Sequence, residues 1–188
     1  MSIVTGVLLP LVLTGCTPDQ QLHGVMVDPP RAIASFDFTL PSGAVLHTAP
    51  EAGRPMVVFF GYTHCPDVCP TTLADWKRAK AKLGKDSARV RFVFVSVDPE
   101  RDTPAVAARY AQQFDPSFMG VSGDSATTSR MMKEFGVAAA REASPDPQSY
   151  GVTHSGSSFL LDAQGRLMAM YPLGIGWEAL AADLKSVL

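Results

Sequence analysis

Cysteine is scarce in this chain. There are three in 188 residues, at positions 16, 65 and 69. Three cannot build a disulfide scaffold, and an odd number cannot all pair internally, so each cysteine needs its own explanation. Charge is scarce too, at 18% of residues, with Lys+Arg 16 against Asp+Glu 18. Without a basic surplus there is no surface for displacing counterions, which excludes a non-specific nucleic-acid binder. Nor is this a disordered chain: 46% of its residues are hydrophobic and the net charge is only -2. No internal repeat and no second domain is visible, and the length suits one domain with a real core.

Long apolar runs are lacking as well. Residues 7–13 form a dense apolar stretch near the amino terminus, well short of the ~20 residues that span a bilayer. It has the length of a signal-peptide core. The run Leu13-Thr14-Gly15-Cys16 resembles the lipobox of bacterial lipoproteins. That resemblance implies cleavage after residue 15 and acylation of the Cys16 thiol. One part of the pattern is missing, because no Lys or Arg precedes the apolar run. The expected organisation is a signal peptide over residues 1–15, a tether over 16–33 and one domain over 34–188. The tether reading rests on mixed polarity, three prolines (Pro18, Pro29, Pro30) and no strand or helix period.

From residue 36 onward the pattern alternates. Residues 36–40 and 44–47 read as a hairpin around Pro41-Ser42-Gly43. Residues 56–60 are a continuous apolar run, as expected of a strand buried on both faces. A helix follows over about 71–83, stopped by Gly84, then a strand over 90–97. Asp102-Thr103-Pro104 opens a second helix. A short strand near 118–121 and a helix over 125–135 come next. A hairpin of residues 157–162 and 167–171 and a closing helix over 177–187 complete the chain. Helix-linked parallel strands with a terminal antiparallel hairpin predict an α/β thioredoxin-like fold, a mixed central sheet flanked by helices.

Cys65 and Cys69 directly follow the first buried strand, where ligands bind in such sheets. Spaced i, i+4 on the first turn of a helix, they face the same way. There the macrodipole and free N–H groups favour thiolate. Two thiolates together can form a reversible disulfide or bind a soft metal. Three intervening residues relax the geometry for chelation. A metal site that also holds Cu(II) needs more than sulfur. Four histidines are available: His23 in the tether, His47 at a hairpin end, His64 beside Cys65, and His154 just before the last hairpin. His64 adjoins Cys65, a position that favours a side chain diverging from the pair and makes it the weaker candidate ligand. No proline occurs between Gln148 and Met170, where thioredoxins place a cis-proline opposite the cysteine loop, and His154 is available there instead.

Three ordered motifs then carry a resemblance. Gly61-Tyr62-Thr63-His64-Cys65-Pro66-Asp67-Val68-Cys69-Pro70-Thr71 is similar to the signature loop of the Sco/SenC family of copper proteins. Ser96-Val97-Asp98-Pro99-Glu100-Arg101-Asp102-Thr103-Pro104 resembles its second motif, and Thr153-His154-Ser155 its third. The resemblance implies one copper ion, Cu(I) or Cu(II), held by Cys65, Cys69 and His154. It also implies a metallochaperone that serves the copper A site of cytochrome c oxidase subunit II or another cuproprotein. The corresponding setting is the periplasmic or other extracytoplasmic face of a membrane, with a thiol–disulfide reductant to keep the pair reduced. Zn(II) also fits two thiolates and an imidazole. The competing reading is a thiol–disulfide oxidoreductase that uses Cys65 and Cys69 as a metal-free redox pair. A peroxiredoxin-like peroxidase fits less well, since Thr63 stands two residues before Cys65 where that family has a threonine three before. Asp98 ends a central strand on the cysteine-loop edge and could tune the site from outside the ligand set. Asp102, Thr103 and Pro104 read as helix capping. Lys77, Arg78, Lys80 and Lys82 read as a solvated helix face.

Overall fold

A computed structural model describes residues 21–48, 53–146 and 149–188. The expected signal peptide and Cys16 lie outside the described residues. In chain order the elements are β1 (Val25–Ala32), β2 (Asp37–Thr39), β3 (Val45–His47), β4 (Met56–Gly61), α1 (Val68–Leu83), β5 (Arg91–Ser96), α2 (Pro104–Phe114), β6 (Met119–Val121), α3 (Ser125–Phe135), β7 (Ala139–Arg141), β8 (Val152–His154), β9 (Ser158–Leu161), β10 (Arg166–Tyr171) and α4 (Trp177–Val187). Among the described residues no helix is long and apolar enough to cross a membrane.

Six strands form one sheet in the order β1-β10-β9-β4-β5-β6. β4, β5 and β6 run parallel, whereas β9 pairs antiparallel with both β4 and β10. All six residues of β4 and of β5 are buried, because helices or the β2–β3 hairpin cover both faces. Alternation decides which residue meets which cover. Val57 and Phe59 pack with Leu73 and Trp76 of α1, Ala107 of α2 and Leu184 of α4. Val58 and Phe60 pack with Met131 and Phe135 of α3 and with Phe38 and Leu46 of the β2–β3 hairpin. This is the expected thioredoxin-like layout. The apolar stripe of α1 is Cys69, Leu73, Trp76, Ala79 and Leu83, the spacing of a helix laid on a sheet. Trp76 Nε1 donates to Ser158 Oγ at 3.0 Å, which ties α1 to β9 inside the core.

The structure corrects one boundary. Residues 25–32 are an edge strand of the sheet, so the domain starts well before residue 34 and no tether extends to 33. Pro29 and Pro30 hide this strand from a periodicity reading. They sit in the register shift between Met26 and Arg31, and a strand edge tolerates residues that cannot donate to the ladder. The short pair β7–β8, with Ala139 opposite His154, has no counterpart in the sequence pattern. α1 begins at Val68, three residues earlier than the sequence pattern indicates.

Candidate metal centre

β4 ends at Gly61, and residues 62–67 turn the chain into α1. The turn is closed by Cys65 N–H donating to Tyr62 O at 3.3 Å. Cys65 therefore stands just before the helix, half-buried, and Cys69 is fully buried in its first turn. Cys69 N–H points at Cys65 Sγ, 3.4 Å away, so the free end of the helix addresses the first sulfur. Both thiols are free.

The third group arrives from the far side of the cysteine loop. His154 ends β8, and its Nε2 lies 3.5 Å from Cys69 Sγ. A backbone carbonyl can only accept, so Nδ1 carries a proton, which it donates to Ser155 O at 3.2 Å. That fixes the tautomer and leaves the Nε2 lone pair facing the sulfurs. The rings of Phe59 and Tyr62 hold the imidazole edge-on at 5.9 and 5.7 Å. Burial lowers the His154 pKa, so the ring is neutral at neutral pH. Burial also drives the Cys69 thiol well above the ordinary thiol range, and Cys65 beside it pushes the same way. For Cys69 this reverses the expectation of a favoured thiolate: desolvation at the foot of the helix outweighs the dipole.

One ligand atom from each of Cys65, Cys69 and His154 lies within 4.8 Å of the other two. Metal–sulfur and metal–nitrogen bonds of roughly 2.0–2.3 Å need little further closure from that spacing. The donor set, two soft sulfurs and one imidazole, suits copper and tolerates zinc. Three ligands also leave an ion partly open.

The remaining candidates sort by geometry. His64 is 56% exposed and turns its Nδ1 toward Thr63 Oγ1 (3.2 Å) and Asp102 (3.8 Å) rather than joining the sulfurs. His47 pairs with Asp37 at 2.7 Å on the β2–β3 hairpin. His23 is not simply solvated, because its Nδ1 meets buried Asp183 at 2.6 Å. Asp98 is buried but stays outside the ligand group. One of its oxygens accepts from Arg101 Nε at 2.6 Å and the other from Tyr150 OH at 2.7 Å. Sequence reasoning missed Asp102. Thr103 is the true cap of α2, with its side chain accepting from Val106 N–H. Asp102, fully buried, instead accepts from Thr63 N–H (2.9 Å), Thr63 Oγ1 (2.6 Å) and Ser96 Oγ (2.6 Å), pinning the cysteine loop to the end of β5. Its adjacency to a good N-cap disguised it.

Relatives share this framework. An SCO2-like protein of Rickettsia prowazekii is 32% identical over 191 residues, covering 99% of this chain and 93% of that protein. The solution structure of apo Sco1 from Thermus thermophilus is 36% identical, with a TM-score of 0.81 over 92% of this chain and 100% of that one. Bradyrhizobium japonicum ScoI, solved with copper bound, is 38% identical, with a TM-score of 0.75 over 84% of this chain and 99% of that one. A sequence profile described as SCO1/SenC matches residues 26–188, from the edge strand to the last residue, and the chain belongs to the SCO1/SenC family.

Proposed function

We propose that this protein is a copper carrier. It takes one copper ion on Cys65 Sγ, Cys69 Sγ and His154 Nε2 and delivers it to a cuproprotein acceptor, the copper A site of cytochrome c oxidase. The observation that carries the reading is the convergence of those three atoms within 4.8 Å in a chain 38% identical to a copper-bound ScoI. Copper is cargo here, so the chemistry of the chain is capture and release. Neutral His154 offers Nε2 without first losing a proton, whereas the Cys69 proton must leave as the sulfur binds. An open three-ligand site lets acceptor ligands displace these three stepwise; a closed four-ligand site would hold the ion structurally. Attachment through lipidated Cys16 on the extracytoplasmic face belongs to the same proposal.

Titration of the reduced protein with Cu(I) and Cu(II) tests it. One equivalent of each binds to the wild type. His154→Ala weakens Cu(II) at least tenfold and alters the thiolate-to-copper absorption, with Cu(I) still held by sulfur. Unchanged Cu(II) affinity and spectrum in that variant overturn the ligand assignment.

A second reading rests on the proximity of the two free thiols. Oxidised to a disulfide, Cys65 and Cys69 give up two electrons and two protons to a substrate disulfide, which becomes a dithiol. Such a protein would reduce the acceptor's cysteines and carry no metal. Cys65→Ser abolishes oxidase maturation under either reading, while His154→Ala does so only under the first.

A further inference from the structure

The two halves of the site come from distant parts of the chain, and the segment after β5 touches both. Its Asp102 end holds Thr63, two residues before Cys65. Its Asp98–Arg101 end holds Tyr150, four residues before His154. Ser96 Oγ joins the two ends, donating to Asp102 Oδ2 at 2.6 Å and accepting from Asp98 N–H at 3.1 Å. Asp98 O in turn accepts from Arg101 N–H and Asp102 N–H, which closes the segment into a tight turn.

Arg101 does most at the histidine end. Its side chain is 9% exposed. Nη1 donates to Tyr150 O at 2.9 Å and Nε donates to Asp98 Oδ2 at 2.6 Å. Its guanidinium carbon lies 3.4 Å from the centroid of the Tyr150 ring and 5.9 Å from that of Tyr62 in the cysteine loop. The Arg141 guanidinium lies 3.7 Å from the Tyr150 centroid. Two guanidiniums that close to one centroid must occupy opposite faces, so the ring is sandwiched. Tyr150 OH completes the clasp by donating to Asp98 Oδ1 at 2.7 Å.

We propose that Arg101 is a positioning residue for His154. By clamping Tyr150 it fixes where β8 starts, and so how far Nε2 stands from the two sulfurs. This rests on the copper reading above, with one part that stands without it. Arg101 touches none of the three ligands, and lysine cannot replace it: lysine has neither the planar face for the ring nor the fork that meets Asp98 and Tyr150 O together.

The test uses Arg101→Lys and Tyr150→Leu in the full chain, the second leaving the Arg101–Asp98 pair in place. In the metal-free protein, the His154 ring nitrogen signals shift, and the amide of Ser155, which donates to Ala138 O at 3.2 Å, exchanges about tenfold faster in both variants. With Cu(II), the thiolate-to-copper absorption moves toward that of His154→Ala and Cu(II) dissociates about tenfold faster. Cu(I) affinity stays within about twofold, since the sulfurs have not moved. If Arg101→Lys fails to fold, Tyr150→Leu decides alone. Wild-type His154 signals and wild-type exchange in the folded variants overturn the proposal. A wild type that takes no Cu(II) overturns the copper reading instead, and the metal-free signals still judge the clamp.

Discussion

At Gly61 a methyl group would stand 2.7 Å from Cys69 Sγ and 2.9 Å from the rings of Phe59 and Phe94. The glycine is there for close approach: it lets the helix seat its buried sulfur against the end of β4. Gly61→Ala must push α1 outward, which opens the gap between Cys69 and His154. Overpacking of this kind costs about 1–3 kcal/mol. The expected result is a lower urea midpoint together with weaker copper binding, and an unchanged urea midpoint followed by circular dichroism refutes it. The Cys69 thiol gives a second prediction. Burial favours its neutral form, so the proton is still in place at neutral pH and must be expelled on loading. Copper affinity therefore rises with pH, by about tenfold per unit for each proton displaced. Competition titrations at about pH 6 and about pH 8 measure that slope; a flat profile means that Cys69 does not bind as thiolate.

Between elements, the longest-range side-chain tie among the described residues is at Asp183 of α4. Its carboxylate, almost wholly buried, accepts from His23 N–H (2.8 Å), His23 Nδ1 (2.6 Å), Gly24 N–H (3.2 Å) and Tyr171 OH (2.7 Å). These bonds hold the start of β1 against β10. Asp183→Ala leaves the buried Gly24 N–H and Tyr171 OH unmet and costs about 2–4 kcal/mol. Hydrogen exchange should show the amides of β1 opening first while copper still binds, and slow β1 exchange in the variant disproves the role. β1 also marks where sequence reading stops. The apolar run of β4 and the stops at Gly84 and Gly136 are local signals, and that strand and those two helix ends appear where the pattern puts them. β1 has no such signal, because its partner β10 lies far along the chain; β7 and β8 pair with each other and, at three residues each, are too short to show a period. The site divides the same way. The Cys65–Cys69 spacing is visible in one stretch. His154 stood out through a missing proline and a motif. Asp102 and Arg101 act only through contacts that folding creates.

Across the whole molecule, direction matters. β1 is antiparallel to β10, β10 to β9 and β9 to β4, so β1 begins at the end of the sheet where β4 finishes. Three strand spacings, ~14 Å, separate the point where the chain enters from the strand that leads into the metal site. If Cys16 is the anchor, the seven residues from there to His23 reach at most ~25 Å. A linker of about ten Gly and Ser residues inserted after Thr17 lengthens that leash. Copper affinity in solution then stays as it was, while delivery to a membrane-bound acceptor slows. Delivery at the wild-type rate refutes the arrangement. The direction of one edge strand thus bears on supply as well as on architecture. With Cys16 as that anchor, a short leash leaving from the site's own end would confine the cargo to a thin layer over the bilayer, at an effective concentration of about millimolar. There, even a weak encounter with an acceptor suffices for handover.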